Sequence, residues 1–309
     1  MSASEPGPYI GRFAPSPTGP LHFGSLLTAV ASYLQAHVNG GIWLLRIEDI
    51  DPPREQPGAS VAILAALENY GFEWDGPASF QSSSRRVHDA AVQSLVRNNQ
   101  AYRCSCSRRD LASVQRGPLG VIYPGTCRAG CDATEFAIRV RTNDEPVFFV
   151  DGLQGRQSQC LETESGDFVI LRRDGLIAYQ LAVVADDHQQ NVTEVVRGID
   201  LMDSTPRQIW LQDLMGYPTP NYLHIPVATH SGGQKLSKNT GAAGIPLKNG
   251  GTTLVAALGA LGQQPPAELE NATLADIWGW ATHHWCIDKL QGRTQIRVDA
   301  NSVAAGQNR

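Results

Sequence analysis

No apolar run in the chain is long enough to cross a bilayer. Its most apolar stretches, such as LIAYQLAVVA, are broken by polar residues and fall far short of the ~20 residues a spanning helix needs. The first residues, MSASEPGPYI, carry neither a basic n-region nor an apolar h-region, which argues against a secretory signal. A soluble cytoplasmic protein with no membrane partner is the resulting expectation. Positive charge is not in excess either. A net charge of −5 argues against indiscriminate nucleic-acid binding, although a local basic patch remains compatible with it. Neither G-x-x-x-x-G-K-[ST] nor G-x-G-x-x-G occurs, so no standard nucleotide fingerprint applies. Internal repeats and low-complexity tracts are also missing. What remains is an ordinary globular composition, 42% hydrophobic and 18% charged, with neither disorder nor fibre indicated. A chain of 309 residues is long enough for a sizeable core and about two domains.

Local patterns predict an α/β fold. Tyr9 to Phe13 reads as a short buried strand, and the Pro/Ser/Gly-rich APSPTGP that follows must be a loop. From near Leu21 a helix is expected, because Leu26, Val30, Leu34 and Val38 recur every four residues as one apolar stripe. Asn39, Gly40 and Gly41 should end it. Ile42 to Ile47 reads as a second buried strand, followed by Glu48, Asp49 and Asp51. Helices are expected over 60–70 and 84–99. Such alternation indicates a parallel sheet. Residues 100–177 differ in texture, with clustered cysteines, more Gly and Pro, and short alternating strands such as FAIRVR. They read as an insertion between two halves, 1–99 and 178–256. Alternation resumes near Ile177 and includes a helix across 205–215. TTLVAALGALG onward, with 257–309, is expected to be helical.

Two local features stand out. The window from Arg97 to Arg141 holds eight arginines against three acids. This is either a solvated surface or a face that neutralises phosphates. Four of the six cysteines fall between Cys104 and Cys131, while Cys160 and Cys286 stand apart. In a cytoplasmic chain such a cluster suggests a metal before disulfides. Zinc asks for four ligands, usually thiolate or imidazole. Cys104, Cys106 and Cys127 are three candidates. On chemistry alone Cys131 is the fourth, because a phenol such as that of the nearby Tyr123 has a pKa of ~10.

Two motifs bear on catalysis. Pro15 to Ser25 lies between a strand and a helix, and a helix N-terminus suits a phosphate. Gly19 and Gly24 would permit close approach, and His22 could donate to a phosphate oxygen. Lys235-Leu236-Ser237-Lys238 lies in a glycine-rich loop more than 200 residues later, where two lysines could clamp phosphates.

Taken together, these segments closely resemble the catalytic domain of glutamyl-tRNA synthetases. The resemblance rests on RFAPSPTG from Arg12, LHFG from Leu21, RIED from Arg46, AVVADDH from Ala182, Arg197-Gly198 and Thr205-Pro206-Arg207-Gln208. His22 to Ser25 is similar to the class I HIGH signature, and Lys235 to Asn239 to KMSKS. Order and spacing match from about residue 9 to residue 240. The resemblance implies a Rossmann-like class I synthetase domain split by an acceptor-binding insertion. It implies a glutamate pocket at Arg12, Phe13, Ala14, Pro15, Ser16, Glu48, Tyr179 and Arg197. Arginines suit the two carboxylates of glutamate, and Glu48 suits its ammonium. His22, Lys235 and Lys238 would act on the phosphates, and His22, Gly24 and Lys238 would contact ATP, which enters with Mg2+.

The resemblance also bears on the metal and the acceptor. Tyr123-Pro124-Gly125-Thr126-Cys127-Arg128 is similar to the Y-x-G-x-C-R segment of one subgroup in which the tyrosine coordinates zinc. This implies one structural zinc on Cys104, Cys106, Tyr123 and Cys127. Residues 241–309 are too few for the helical anticodon-binding region of a full glutamyl-tRNA synthetase, so no such domain is expected. With LHFGS and the cysteine pattern, this resembles glutamyl-queuosine tRNA(Asp) synthetases. The implied activity is tRNA-independent glutamyl-adenylate formation, then transfer of glutamate to queuosine in the anticodon loop of tRNA(Asp). The alternatives are a truncated synthetase charging a tRNA 3′ end and a non-catalytic paralogue binding tRNA or glutamate. Intact His22, Glu48, Arg197 and Lys238 weigh against the latter. Ser25 and Asn239 depart from the last residues of HIGH and KMSKS, and neither is expected to abolish catalysis.

Overall fold

A computed structural model describes residues 7–230, 244–247 and 250–298. In chain order its first elements are β1 (Ile10–Phe13), α1 (Phe23–Val38), β2 (Ile42–Ile47), α2 (Ala59–Asn69), β3 (Ser79–Phe80) and α3 (Arg85–Arg97). Leu26, Val30 and Leu34 of the predicted stripe are fully buried, whereas Val38 is 42% exposed. The packed stripe therefore stops one turn before the helix does. His22 caps α1, its imidazole accepting from the Ser25 backbone N–H, which satisfies one of the donors a helix start leaves unpaired.

Beyond α3 the chain leaves the parallel sheet and builds β4 (Ala101–Cys104), the short β5 (Arg116–Gly117) and β6 (Gly120–Val121), then β7 (Ala137–Val140). The hairpin β8 (Val147–Asp151) and β9 (Gly155–Gln159), a helical turn α4 (Leu161–Glu164) and β10 (Val169–Leu171) complete it. Here β10, β7 and β4 form a separate antiparallel sheet. The change of texture from residue 100 thus coincides with a change of sheet.

The parallel arrangement then resumes with α5 (Tyr179–Gln189), β11 (Glu194–Gly198), α6 (Thr205–Met215), β12 (Asn221–Ile225) and β13 (Val227–Thr229). The main sheet has the order β12-β11-β1-β2-β3, and all its pairs are parallel. The chain proceeds from β1 to one side and returns on the other through β11. A doubly wound sheet binds ligands at such a reversal, outside the carboxyl ends of its strands.

Side chains alternate across the sheet. Phe13, Trp43, Leu45, Ile47 and Val196 join α1 in one core. Arg12 and Arg46 reach the opposite layer, where α5 presents Asp187. Helices α7 (Gly250–Ala260) and α8 (Leu274–His284) contribute Leu254, Leu258, Ile277 and Trp278 to the first core. The tail departs from the helical expectation. Within the described residues it includes a strand, β14 (Gln295–Arg297), paired in parallel with β13. Its exposed–buried–exposed pattern centred on Ile296 is a strand period, and three residues are too few to announce it. Among the described residues, no helix is long and apolar enough to cross a membrane.

Candidate active site

A cleft of about 830 Å3 opens at the carboxyl ends of β1, β2 and β11. It is lined by Arg12, Phe13, Ala14, Pro15, Ser16, His22, Gly24, Glu48, Tyr179 and Arg197, whereas Gly19, which the motif also put forward for nucleotide approach, is not among its lining residues. Lys235 and Lys238 lie outside the described residues. The loop after β1 makes its turn at Gly19, whose φ of +139° belongs to a backbone region only glycine enters freely. A Cβ there would stand 3.2 Å from Gln56 Oε1. At the start of α1, His22 Nδ1 accepts from Ser25 N at 3.2 Å, so in the neutral ring Nε2 carries the proton, 3.1 Å from Ser25 Oγ.

Four charged side chains share one buried network beside the cleft. Arg12 donates Nε and Nη2 to the two oxygens of Asp187, each at 3.2 Å. Arg46 Nη2 reaches the same Asp187 Oδ1 at 2.7 Å and Glu48 at 3.5 Å. Burial would raise the Asp187 carboxyl, but Arg12 and Arg46 outweigh it and hold it below the ordinary carboxylate range. Glu48 moves the other way. Burial pushes its carboxyl up, and Arg46 and Arg12 only partly compensate. Asp187 is thus committed to the arginines, whereas Glu48 is a desolvated carboxylate that gains from an incoming cation.

Arg197 approaches from β11. Its Nε donates to His224 Nε2 at 3.0 Å and its Nη2 to Thr205 Oγ1 at 2.8 Å, while buried Nη1 has no hydrogen-bond partner among the described residues. A carboxylate placed in the cleft would supply one.

The sulfurs of Cys104, Cys106 and Cys127 lie within 4.8 Å of one another. Tyr123 Oη stands 3.3 Å from Cys104 Sγ and 3.6 Å from Cys106 Sγ. Cys131 packs against this cluster but is not one of its three grouped sulfurs. Burial would raise the Cys127 thiol, yet hydrogen bonds from the Ser105 backbone and the Tyr123 side chain bring it down to about 6. Arg139 donates Nε to Cys104 Sγ at 3.3 Å and stacks over the Tyr123 ring at 3.9 Å. A cation beside three thiols and a phenol suits a ligand set that turns anionic when it holds a metal ion.

Residues 10–248 match the sequence profile of tRNA synthetases class I (E and Q), catalytic domain. The chain belongs to this synthetase family. It is 51% identical to the glutamyl-Q tRNA(Asp) synthetase of Pseudomonas fluorescens, over 92% of this chain and 94% of that one. It is 49% identical to that of Dechloromonas aromatica, over 95% and 99%. A solved glutamate-tRNA synthetase from Elizabethkingia anophelis shares the fold, with a TM-score of 0.80 and 24% identity, over 97% of this chain and 70% of that one.

The synthetase's arginine-rich window divides into two sets. Arg128 is committed to Asp167 and Glu162, Arg139 to the cysteine cluster, and Arg141 to the carbonyls of Asn99 and Arg128. Arg97, Arg103, Arg108, Arg109 and Arg116 are exposed. The window is therefore neither wholly a solvated surface nor wholly a face open to phosphates, because charge alone does not tell an internal arginine from a solvated one. Sequence reasoning also gave no role to Asp187, His224 or Asp151. The pair Asp186-Asp187 inside an apolar helix was the available signal, since buried acids need partners.

Proposed function

We propose that this enzyme activates glutamate with ATP, without tRNA, and transfers it to the queuosine base in the anticodon loop of tRNA(Asp) in the cytoplasm. The observation that carries the reading is the cleft. It gathers Arg12, Glu48, Tyr179 and Arg197 beside the N-terminus of α1. Guanidinium groups would take the carboxylates of glutamate and Glu48 its ammonium, leaving one carboxylate directed at the phosphates. A carboxylate oxygen bonds to the α-phosphorus of ATP, and the bond from that phosphorus to pyrophosphate breaks. No proton moves and no side chain acts as nucleophile. The protein contributes orientation and charge stabilisation. His22 Nε2–H is the donor a phosphate oxygen would take over, and Lys235 and Lys238 would steady the departing pyrophosphate. In the second step a queuosine hydroxyl attacks the acyl carbon, the acyl–phosphate C–O bond breaks, and AMP leaves with the hydroxyl proton passing to its phosphate or to water.

Cys104, Cys106, Tyr123 and Cys127 would hold one zinc, whose contribution is to cross-link the segment between β4 and β7. The exposed arginines of that region offer contacts to tRNA phosphates, which position a substrate without reading its sequence. The names of the relatives support queuosine as acceptor. Labelled glutamate is offered with tRNA(Asp) carrying queuosine or guanosine at the wobble position, and with tRNA(Glu). Label on the queuosine tRNA alone is the expected result. Equal labelling of both tRNA(Asp) forms, or labelling of tRNA(Glu) only, would point to 3′-end charging instead.

A further inference from the structure

We propose that Asp151 and His224 are positioning residues for the amino-acid pocket, fixing Arg197 through the tautomer of a buried imidazole. The inference rests on the reading of Arg197 as a carboxylate-binding residue. Asp151 ends β8, outside the parallel sheet, whereas His224 lies on β12 directly across from Arg197 in the register. The side chains of Asp151 and His224 are completely buried, with His224 Nδ1 2.6 Å from Asp151 Oδ2.

The donors and acceptors leave one protonation pattern. Arg197 Nε can only donate, so His224 Nε2, 3.0 Å away, must be the bare acceptor. Nδ1 then carries the proton and donates it to the carboxylate. Thr205 Oγ1 accepts from Arg197 Nη2 at 2.8 Å and Leu201 O lies 3.4 Å from the same nitrogen. Among the described residues the guanidinium is held on two of its three nitrogens, and Nη1 lacks a partner in a residue that lines the cleft. The opposite tautomer would set Nε2–H against the arginine's own N–H and turn the guanidinium out of place.

The backbone makes this sensitive to one atom. Asp151 Oδ1 accepts from Leu153 N at 3.0 Å and Gln154 N at 2.9 Å. In Asp151→Asn the amide oxygen keeps that place, because there it accepts from Leu153 N, Gln154 N and, at 3.3 Å, the His224 backbone N–H that Oδ2 shares at 3.2 Å, whereas an amide nitrogen would face all three donors. The NH2 then faces His224 Nδ1 and forces the proton onto Nε2. A near-isosteric change is thereby converted into a donor-against-donor clash at Arg197.

The test measures binding of glutamate and of a non-hydrolysable ATP analogue to folded Asp151→Asn, His224→Leu and His224→Gln. Loss of a hydrogen bond to a charged group predicts a roughly 10- to 100-fold weaker glutamate affinity in the first two, with ATP-analogue binding unchanged. His224→Gln places an amide oxygen near Nε2 and should recover to within about 3-fold. Nitrogen-15 spectra of histidine-labelled protein should show the His224 tautomer inverted in Asp151→Asn. If Asp151→Asn does not fold, the Leu and Gln variants decide between them. Wild-type glutamate affinity in Asp151→Asn and His224→Leu would overturn the proposal, as would parallel loss of both ligands in folded protein. Wild-type enzyme that binds no glutamate would overturn the reading of Arg197 itself, a separate outcome.

Discussion

Asp187 grips Arg12 with both carboxylate oxygens, at 3.2 Å each, while its Oδ1 also takes Arg46 at 2.7 Å. One acid on α5 thus holds arginines from two adjacent strands at the edge of the cleft. Asp187→Asn removes the charge and leaves two buried guanidinium groups under-compensated. Breaking such a buried pair costs about 3–5 kcal/mol, and glutamate binding should weaken as Arg12 loosens. The pH dependence has a definite sign. The folded Asp187 pKa is depressed, so its stabilisation is complete above the unfolded value of ~3.9 and fades as pH falls through the lower folded value. Chemical denaturation across pH should show a shallower acid limb in the variant. A variant as stable as wild type at pH 7 would contradict this role.

Glu48 has the opposite shift. Its folded pKa lies above the ordinary 4.5 because it is buried, and only its ionised form attracts the substrate ammonium. The KM for glutamate should therefore climb as pH falls toward that raised value, while the KM for ATP stays flat. Glu48→Gln should raise the glutamate KM roughly 10- to 100-fold, the loss expected for a charged hydrogen bond, and flatten its acid limb. An unchanged acid limb in the variant would assign the ammonium to another group.

The cysteine cluster predicts one zinc per chain in protein purified without chelators. Substituting Cys104, Cys106 or Cys127 by Ser should lose it, and Tyr123→Phe should weaken it, as measured by metal analysis. Cys131→Ser should retain full occupancy, because its sulfur is outside the group. Loss of metal in Cys131→Ser with retention in Tyr123→Phe would reverse the ligand assignment.

His22→Ala and Lys238→Ala should lower kcat for adenylate formation by about 10²- to 10³-fold, as for loss of one transition-state donor. Glutamate KM should barely move, since an interaction made only in the transition state leaves ground-state binding intact. A changed glutamate KM at constant kcat would place these residues in the amino-acid pocket instead.

Much of this arrangement was legible because the signal was local. The buried stripe of α1, the strands on either side of it, and the stop at Asn39 follow from periodicity and helix-end chemistry. The motif residues Arg12, Glu48, Tyr179 and Arg197 were legible only through resemblance, yet they converge on one cleft. What stayed hidden depends on distant pairing. Asp151 and His224 are 73 residues apart, and nothing near either one announces the other. β14 is a strand because β13 offers it an edge. Arg128 and Arg139 looked like surface charge until Asp167 and the thiols appeared beside them.

Glutamate-dependent exchange of labelled pyrophosphate into ATP, run without any tRNA, tests the central claim most directly. Activation of glutamate at this cleft predicts robust exchange with glutamate, little with glutamine or aspartate, and about a 10²-fold or greater loss in His22→Ala. Absence of exchange in the folded, metal-replete wild-type protein, or exchange appearing only when tRNA is added, would contradict it.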